Sequence, residues 1–221
     1  MRERDVVDEP TLPVYGVAEY LTASPYRQMQ VLADYKYPQR GVPRANYYRE
    51  ARDTIRQFHK SGEDRGVVTS AVTSLRNRLR LALKEREVVR TRHNIRVLES
   101  YLRYRADRHY EVRRVAHSTM MIGEVRVKAN PDLFVIEAET PKLVKFDFAE
   151  RPPSDRFAGI VAECLYRGAR EAKIDVQPSD VLVCSIEADR EWHAKPSVQR
   201  WRNVIAACRQ IALLWPSVAP D

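Results

Sequence analysis

Two aspartates, Asp132 and Asp147, stand near the two ends of the stretch NPDLFVIEAETPKLVKFDF, which runs from Asn130 to Phe148. Carboxylates are the hard oxygen ligands that Mg²⁺ prefers, and a bound Mg²⁺ polarises phosphate oxygens and helps to generate hydroxide. Lys145, two residues before Asp147, offers an ammonium group that could steady a developing negative charge. These residue types raise the question whether the stretch holds a metal ion and cleaves a substrate, or is the remnant of a site that no longer does.

The two aspartates meet only if the strands that carry them are neighbours. The stretch predicts two short strands joined at Thr140-Pro141, with Asp132 at the start of the first and Asp147 near the end of the second. Side chains alternate along a strand, so Lys145 and Asp147 lie on one face together with Leu143 and Ala149. Asp132 has a plain alternative role, because an aspartate after a proline often opens a strand as a turn residue.

The pattern around this stretch predicts an α/β fold. Three strand-like runs with little room between them are typical of an antiparallel meander, and a later strand that follows a helix usually joins such a sheet in parallel. The expected order is the strands Met120–Val127, Leu133–Ile136 and Leu143–Phe148, the helix Arg156–Lys173, the strand Val181–Ile186 and the helix Ser197–Leu214. We therefore expect a mixed sheet with a three-strand meander and flanking helices.

The first half of the chain is helical and basic. Ser24-Pro25 is typical of a helix cap followed by a first-turn proline, and the apolar spacing from Val68 to Arg108 predicts two helices or one long bent helix. We expect a helical N-terminal region over residues 1–87 and an α/β core over residues 88–221. In the helix before the strands, Glu99 is expected on the inward side, and Glu111 is a second carboxylate candidate.

Positive charge is concentrated in the helices. The chain has 38 Lys and Arg against 30 Asp and Glu, a formal net charge of +8, and Thr73–Arg114 alone holds thirteen basic and five acidic residues. Arginine side chains along a helix suit the phosphate backbone of DNA or RNA. The alternative is a solvated helix face with internal pairs such as Glu87 with Arg90. The candidate nucleic-acid contacts are Arg90, Arg92, Arg96, Arg103 and Arg105.

The element order and the aspartates together resemble the PD-(D/E)XK nuclease superfamily, whose core is a helix, a three-strand meander, a helix and a further strand. Pro131-Asp132 matches the superfamily's Pro-Asp, and Asp147 matches the acidic residue of its third strand. The lysine that should follow two residues later is replaced by Ala149. The resemblance implies that Asp132 and Asp147 are metal ligands, that Mg²⁺ is the cofactor, and that Glu99 or Glu111 adds a carboxylate.

Three functions are compatible with these residues. The favoured hypothesis is a catalytically degenerate nuclease fold that is retained for nucleic-acid binding or assembly. The second is an active Mg²⁺-dependent nuclease in which Lys145 or Lys173 replaces the missing lysine. The third is a protein-interaction module, with a protein partner or a second copy of the chain, that does not bind nucleic acid.

The cysteines and the amino end bear on the compartment. Cys164, Cys184 and Cys208 are odd in number and lie among apolar neighbours, which favours reduced core thiols over disulfides. The opening segment MRERDVVDEP lacks the apolar run of a signal peptide, and the last apolar stretch is interrupted by Arg209. We expect a soluble, cytoplasmic protein without a membrane segment.

Overall fold

A computed structural model describes residues 6–38, 47–114 and 117–220. The helices in these ranges are α1 Val14–Thr22, α2 Pro25–Lys36, α3 Arg49–Lys60, α4 Arg65–Leu81, α5 Glu85–Tyr104, α6 Asp155–Glu171 and α7 Val198–Leu214. The strands are β1 Thr11–Pro13, β2 Glu111–Arg113, β3 Thr119–Ile122, β4 Val125–Lys128, β5 Leu133–Glu137, β6 Thr140–Asp147, β7 Val181–Ser185 and β8 Arg190–His193.

The central sheet has five strands in the order β2-β5-β6-β7-β8. β6 pairs antiparallel with β5 and parallel with β7, because the chain passes through α6 before it enters β7. A crossover helix is the usual way to join two parallel strands. The predicted mixed α/β sheet with flanking helices is therefore confirmed.

The turn between β5 and β6 differs from the prediction. It is formed by Ala138 and Glu139, both with positive φ (48° and 64°), while Thr140 and Pro141 already belong to β6. A two-residue turn with positive φ at both positions matches the twist of a hairpin. Pro141 is tolerated in a central strand because β7 pairs with β6 only from Leu143 onward.

The first strand of the predicted meander was also wrong. Met120–Val127 forms the hairpin β3–β4, which pairs with β1 in a separate three-stranded sheet. The turn of this hairpin contains Gly123 with a φ of 63°, and its two strands bury alternate residues. The first strand of the central sheet is instead β2, and the hairpin is an insertion between β2 and β5.

Two hydrophobic cores lie on the two faces of the central sheet. Leu143 and Val183 face one core, which contains side chains of α1, α2, α6 and α7. Val144 and Phe146 face the other core, which contains side chains of α3, α4 and α5. The apolar pattern of the strands and of α6 predicts eight buried residues. Two of them, Phe134 and Ile136, are half-buried on β5, next to the edge strand β2. The other six are buried: Val144, Phe146, Leu165, Val181, Val183 and Ile186.

The helices before residue 88 share these cores. Val68, Val72 and Leu75 of α4 pack in the same cluster as Leu98 of α5, on the other side of the expected boundary at residue 87. Ser24 caps α2, as predicted, by accepting a hydrogen bond from the Arg27 N–H. The apolar stripe from Val68 forms two helices that are separated at residues 82–84.

The state of the cysteines and the lengths of the helices were also predicted from the sequence. Cys164, Cys184 and Cys208 are free and buried, as predicted. Burial raises the pKa of the Cys184 thiol to about 12. In the three described ranges, every helix is too short or too polar to cross a membrane.

Candidate functional site

Asp132 lies immediately before β5 and is almost fully buried, with 4% of its surface exposed. Its Oδ2 accepts a hydrogen bond from the Phe146 N–H of β6 at 2.9 Å. Its Oδ1 lies 2.8 Å from Arg52 Nε of α3 and 3.1 Å from Lys145 Nζ of β6. Both carboxylate oxygens are therefore engaged by groups of the protein.

Lys145 is held at the same place by three contacts. Leu133 pairs with Val144, and the Asp132 N–H donates to the Val144 carbonyl at 2.8 Å, which brings Asp132 beside Lys145. Besides its ion pair with Asp132, the Lys145 ammonium donates to the Asn130 carbonyl at 3.1 Å and lies 5.8 Å from the centre of the Tyr15 ring. The ammonium therefore stabilises the chain entering β5.

Asp147 occupies a different environment from Asp132. It shares the strand face of Lys145, as predicted, and is buried. Its Oδ1 accepts from the Ala149 N–H at 3.2 Å and its Oδ2 from the Tyr15 hydroxyl at 3.4 Å. Burial raises the pKa of the Asp147 carboxyl to about 6, although both hydrogen bonds act to lower it.

Tyr15 links the aspartate to α1. Its single hydroxyl proton is shared between Asp147 Oδ2 and the Phe146 carbonyl, which lies 3.1 Å away, and its ring packs edge-on against Phe157 of α6. Burial and the nearby charge of Asp147 raise the pKa of the Tyr15 hydroxyl well above its ordinary value. Tyr15 is therefore a neutral hydrogen-bond donor at neutral pH.

The donor set does not fit a divalent metal ion. Mg²⁺ needs carboxylate oxygens that can turn towards it, but the oxygens of Asp132 are held by Arg52, Lys145 and a backbone N–H. Across the described residues, no three His, Cys, Asp or Glu side chains are grouped so that they could hold an ion. We derive no chemical step through a metal at this site.

The two additional carboxylates predicted from the sequence lie elsewhere. Glu99 is not turned inward. Its Oε1 pairs with Arg76 of α4 at 2.7 Å, and both side chains are largely exposed. Glu111 pairs with Arg113 at 2.7 Å on the exposed side of β2.

Two of the five candidate arginines hold the fold together. Arg105 is buried just after the end of α5 and pairs with Glu191 of β8 and, at 2.9 Å, with Asp189. Arg96 bridges Glu187 at 3.0 Å and Glu150 at 3.2 Å. The structure therefore contradicts an exposed nucleic-acid contact at Arg105, because its charge is neutralised inside the protein.

The other three candidates lie on the outer part of α5. Arg92 and Arg103 are exposed, and Arg90 is half-buried. The Arg103 guanidinium lies 5.6 Å from the centre of the Tyr104 ring. Within the described part of the chain, Arg92 has no acidic partner, so its charge faces solvent.

The helices α3, α4 and α5 cover one face of the central sheet and form the helical layer, which has a basic hairpin at one end. We call residues 76–90, the end of α4 and the start of α5, the arm. Every residue of the arm is half-buried or exposed, and it contains six Lys or Arg against two Glu, a net charge of +4. The basic residues of the arm are Arg76, Arg78, Arg80, Lys84, Arg86 and Arg90.

Sequence reasoning missed three residues that build the site around Asp132 and Asp147. Arg52 and Arg56 lie four residues apart on α3, and Arg56 Nη2 donates to the Asp132 carbonyl at 2.8 Å. Tyr15 comes from α1, more than a hundred residues away in the chain. The i, i+4 spacing of two arginines was visible in the sequence, but nothing in it showed which strand α3 faces.

The chain matches no model of a known protein family, and no curated protein is significantly similar to it.

Proposed function

We propose that this protein binds nucleic acid through its basic helical layer, and that its nuclease-like core is catalytically degenerate. In this account, Asp132 stabilises the fold through its ion pairs, and Asp147 is a buried carboxyl that takes part in no chemistry. The arginines of the arm and of the outer face of α5 contact phosphates.

The observation that carries the proposal is a set of cations without partners. Arg80, Lys84, Arg86 and Arg92 are exposed, and none has an ion pair or a side-chain hydrogen bond to any described residue. Two other arginines of the arm, the exposed Arg76 and the half-buried Arg78, are paired with glutamates at 2.7 Å. Unpaired cations at the end of the arm and on the adjoining part of α5 are suited to the closely spaced phosphates of a polynucleotide.

The order of elements supports a nuclease-like core. α5 is followed by β2, β5 and β6, then by α6, and then by β7 parallel to β6. Apart from the inserted β3–β4 hairpin, this is the order that the PD-(D/E)XK resemblance implies. Asp132 precedes the second strand of that series and Asp147 ends the third, at the expected positions.

The contacts of Asp132 argue against catalysis. A carboxylate that coordinates a metal must exchange its protein contacts for the ion, and here that exchange would break two ion pairs and the hydrogen bond to Phe146. Breaking a buried ion pair typically costs ~3–5 kcal/mol. We infer that the contacts of Asp132 serve the structure.

One observation favours the alternative of an active enzyme with a relocated lysine. Lys145 lies beside the first aspartate, with its ammonium 3.1 Å from Asp132 Oδ1. The other candidate, Lys173, is exposed beyond the end of α6 and contacts neither aspartate. The active-enzyme hypothesis therefore depends on Lys145, and it predicts metal-dependent cleavage that Lys145→Met abolishes.

A pair of matched charge reversals tests the binding proposal. The test variant is Arg86→Glu with Arg92→Glu on α5. The control is Arg202→Glu with Arg209→Glu on α7, which lies on the other face of the central sheet. It changes the net charge by the same amount, and both arginines are exposed and have no partner among the described residues. Binding to labelled single- and double-stranded DNA and RNA is measured by fluorescence anisotropy over a range of salt concentrations.

We expect the α5 variant to bind more weakly and the control to bind like the wild type. Loss of two phosphate contacts should reduce the slope of log affinity against log salt by about 2, at ~0.9 per contact. Equal losses of affinity in the two variants would show that binding depends on the net charge of the protein and not on the arginines of α5. Failure of the wild type to bind any of the four probes would refute the proposal.

A further inference from the structure

The end of the arm combines charge with exposed apolar surface. Leu81 and Leu83 are 80% and 98% exposed. Arg80, Lys84 and Arg86 flank them in the chain and are also exposed. We call these five residues the tip.

The tip lies at the junction of α4 and α5. α4 ends at Leu81 and α5 begins at Glu85, and the backbone of the link is extended at Ala82 (φ −72°, ψ 123°) and at Lys84 (φ −102°, ψ 125°). The last buried residue of α4 is Leu75 and the first of α5 is Thr91. Leu79 still packs against the core and Arg78 pairs with Glu50 of α3, so only the last turn of α4, about 3 Å at ~1.5 Å per residue, extends beyond these contacts and carries the leucines.

The composition of the tip specifies the chemistry of its partner. Exposed leucines gain free energy when they leave water, so the partner must offer an apolar surface. The surrounding cations require that this surface be bordered by negative charge. A nucleic-acid duplex provides both together where it ends, since the terminal base pair exposes its flat face between two phosphate strands.

The dimensions of the arm favour the duplex end over a groove. Two packed helices, each ~10–12 Å across with axes ~8–10 Å apart, form an end face about 20 Å wide. The major groove of DNA is only ~12 Å wide, and the minor groove is narrower. The tip is thus too broad to enter a groove, but it can lie flat against a terminal base pair.

We propose that the tip recognises the ends of nucleic-acid duplexes. Leu81 and Leu83 cover the terminal base pair, and Arg80, Lys84 and Arg86 contact the phosphates beside it. This inference rests on the proposed function, because it assigns a preferred structure to the nucleic acid that the arm binds.

The test compares a linear blunt-ended DNA duplex with a duplex of the same sequence whose two ends are closed by loops. The two probes compete for the full-length protein in one assay. We expect the wild type to prefer the open ends by at least about tenfold, the factor expected when a single leucine side chain leaves water. Leu81→Ser with Leu83→Ser should abolish this preference and retain salt-dependent binding to the closed probe.

A leucine of α7, on the other face of the central sheet, provides the control. Leu213 is 81% exposed near the end of α7, and Leu213→Ser should retain the preference for open ends. Because all three leucines are exposed, their replacement should leave the fold intact, which circular dichroism verifies.

The remaining outcomes separate this inference from the proposed function. Equal wild-type affinity for the two probes overturns the end preference and leaves nucleic-acid binding in place, whereas failure to bind either probe overturns both. A preference that survives in the double leucine variant also overturns the inference. Two further results would overturn the inference if the two DNA probes bind alike. They are binding to phosphatidylserine vesicles, or self-association of the protein, that the double leucine variant has lost.

Discussion

Replacing Asp147 with Asn should stabilise the protein at neutral pH. The carboxyl is buried, and its pKa is raised from 3.8 to about 6. Each pKa unit corresponds to ~1.4 kcal/mol, so ionised Asp147 lowers the free energy of unfolding by about 3 kcal/mol near pH 7. Asparagine carries no charge but loses one acceptor oxygen, a loss of ~1 kcal/mol. The expected net gain is about 2 kcal/mol.

The sign of the pH dependence follows from the same shift. Between about pH 4 and pH 6 the folded chain keeps a proton on Asp147 that the unfolded chain has released. The contribution of Asp147 to stability therefore falls as the pH rises through this window and is constant above it. The Asn variant lacks this contribution, so the difference in stability between variant and wild type should grow from about pH 4 to about pH 6 and level off above that.

Urea unfolding followed by circular dichroism, at several pH values across this range, measures the effect. Asp175→Asn, at an exposed position, is the matched control and should change the free energy of unfolding by less than ~0.5 kcal/mol. An Asp147→Asn protein that is less stable than the wild type at neutral pH would refute the reasoning. A stability difference that does not vary with pH would also refute it, because the carboxylate would then not be destabilised by burial.

Three further substitutions test the core and the site. Asp132→Ala should lower the free energy of unfolding by ~3–5 kcal/mol in urea titrations, because it leaves Arg52 and Lys145 without their buried partner; a loss below ~1 kcal/mol would contradict a structural role. Phe146→Ala should cost ~3–5 kcal/mol in the same measurement, since the ring is buried; a loss typical of surface positions would contradict its place in the core. Ala149→Lys restores the missing lysine but should produce no cleavage of labelled DNA or RNA with Mg²⁺ or Mn²⁺, because Asp132 stays occupied; cleavage would show that the ammonium alone was lacking.

The apolar strands were predictable because a strand that is buried on both faces has a nearly continuous run of apolar residues. LVKFDF and VLVCSI could be assigned to a covered sheet, and the alternation within LVKFDF placed Lys145 and Asp147 on the same face. The crossover helix between them fixed the parallel pairing of β6 and β7. The α/β class followed from these elements alone.

The first strand of the sheet was not predictable by the same means. β2 has only three residues, and its sequence Glu-Val-Arg offers a single apolar side chain. The hairpin β3–β4 has the stronger strand pattern but belongs to the small sheet, because its pairing partner β1 lies near the start of the chain. Pairing between distant segments is a tertiary choice that local propensity does not encode.

The role of Asp132 likewise depended on long-range contacts. The sequence predicted its position before a strand but could not show that Arg52, eighty residues earlier, would neutralise it. Arg105 was misjudged for the same reason, since its acidic partners Asp189 and Glu191 come from the far edge of the sheet. Clustered charge in the sequence does not distinguish a cation that faces solvent from one that is paired inside the fold.

The measurement that tests the central claim most directly is a titration of labelled DNA and RNA with the wild-type protein in the presence of Mg²⁺. Affinity and strand length are recorded at each salt concentration. The unpaired cations of the helical layer, Arg80, Lys84, Arg86, Arg92 and Arg103, predict a log–log salt slope of about −4 to −5 on duplex DNA, at ~0.9 per phosphate contact, with the strands intact. Absence of salt-dependent binding to every probe would contradict the account, as would Mg²⁺-dependent shortening of the strands that Asp132→Ala or Asp147→Ala abolishes.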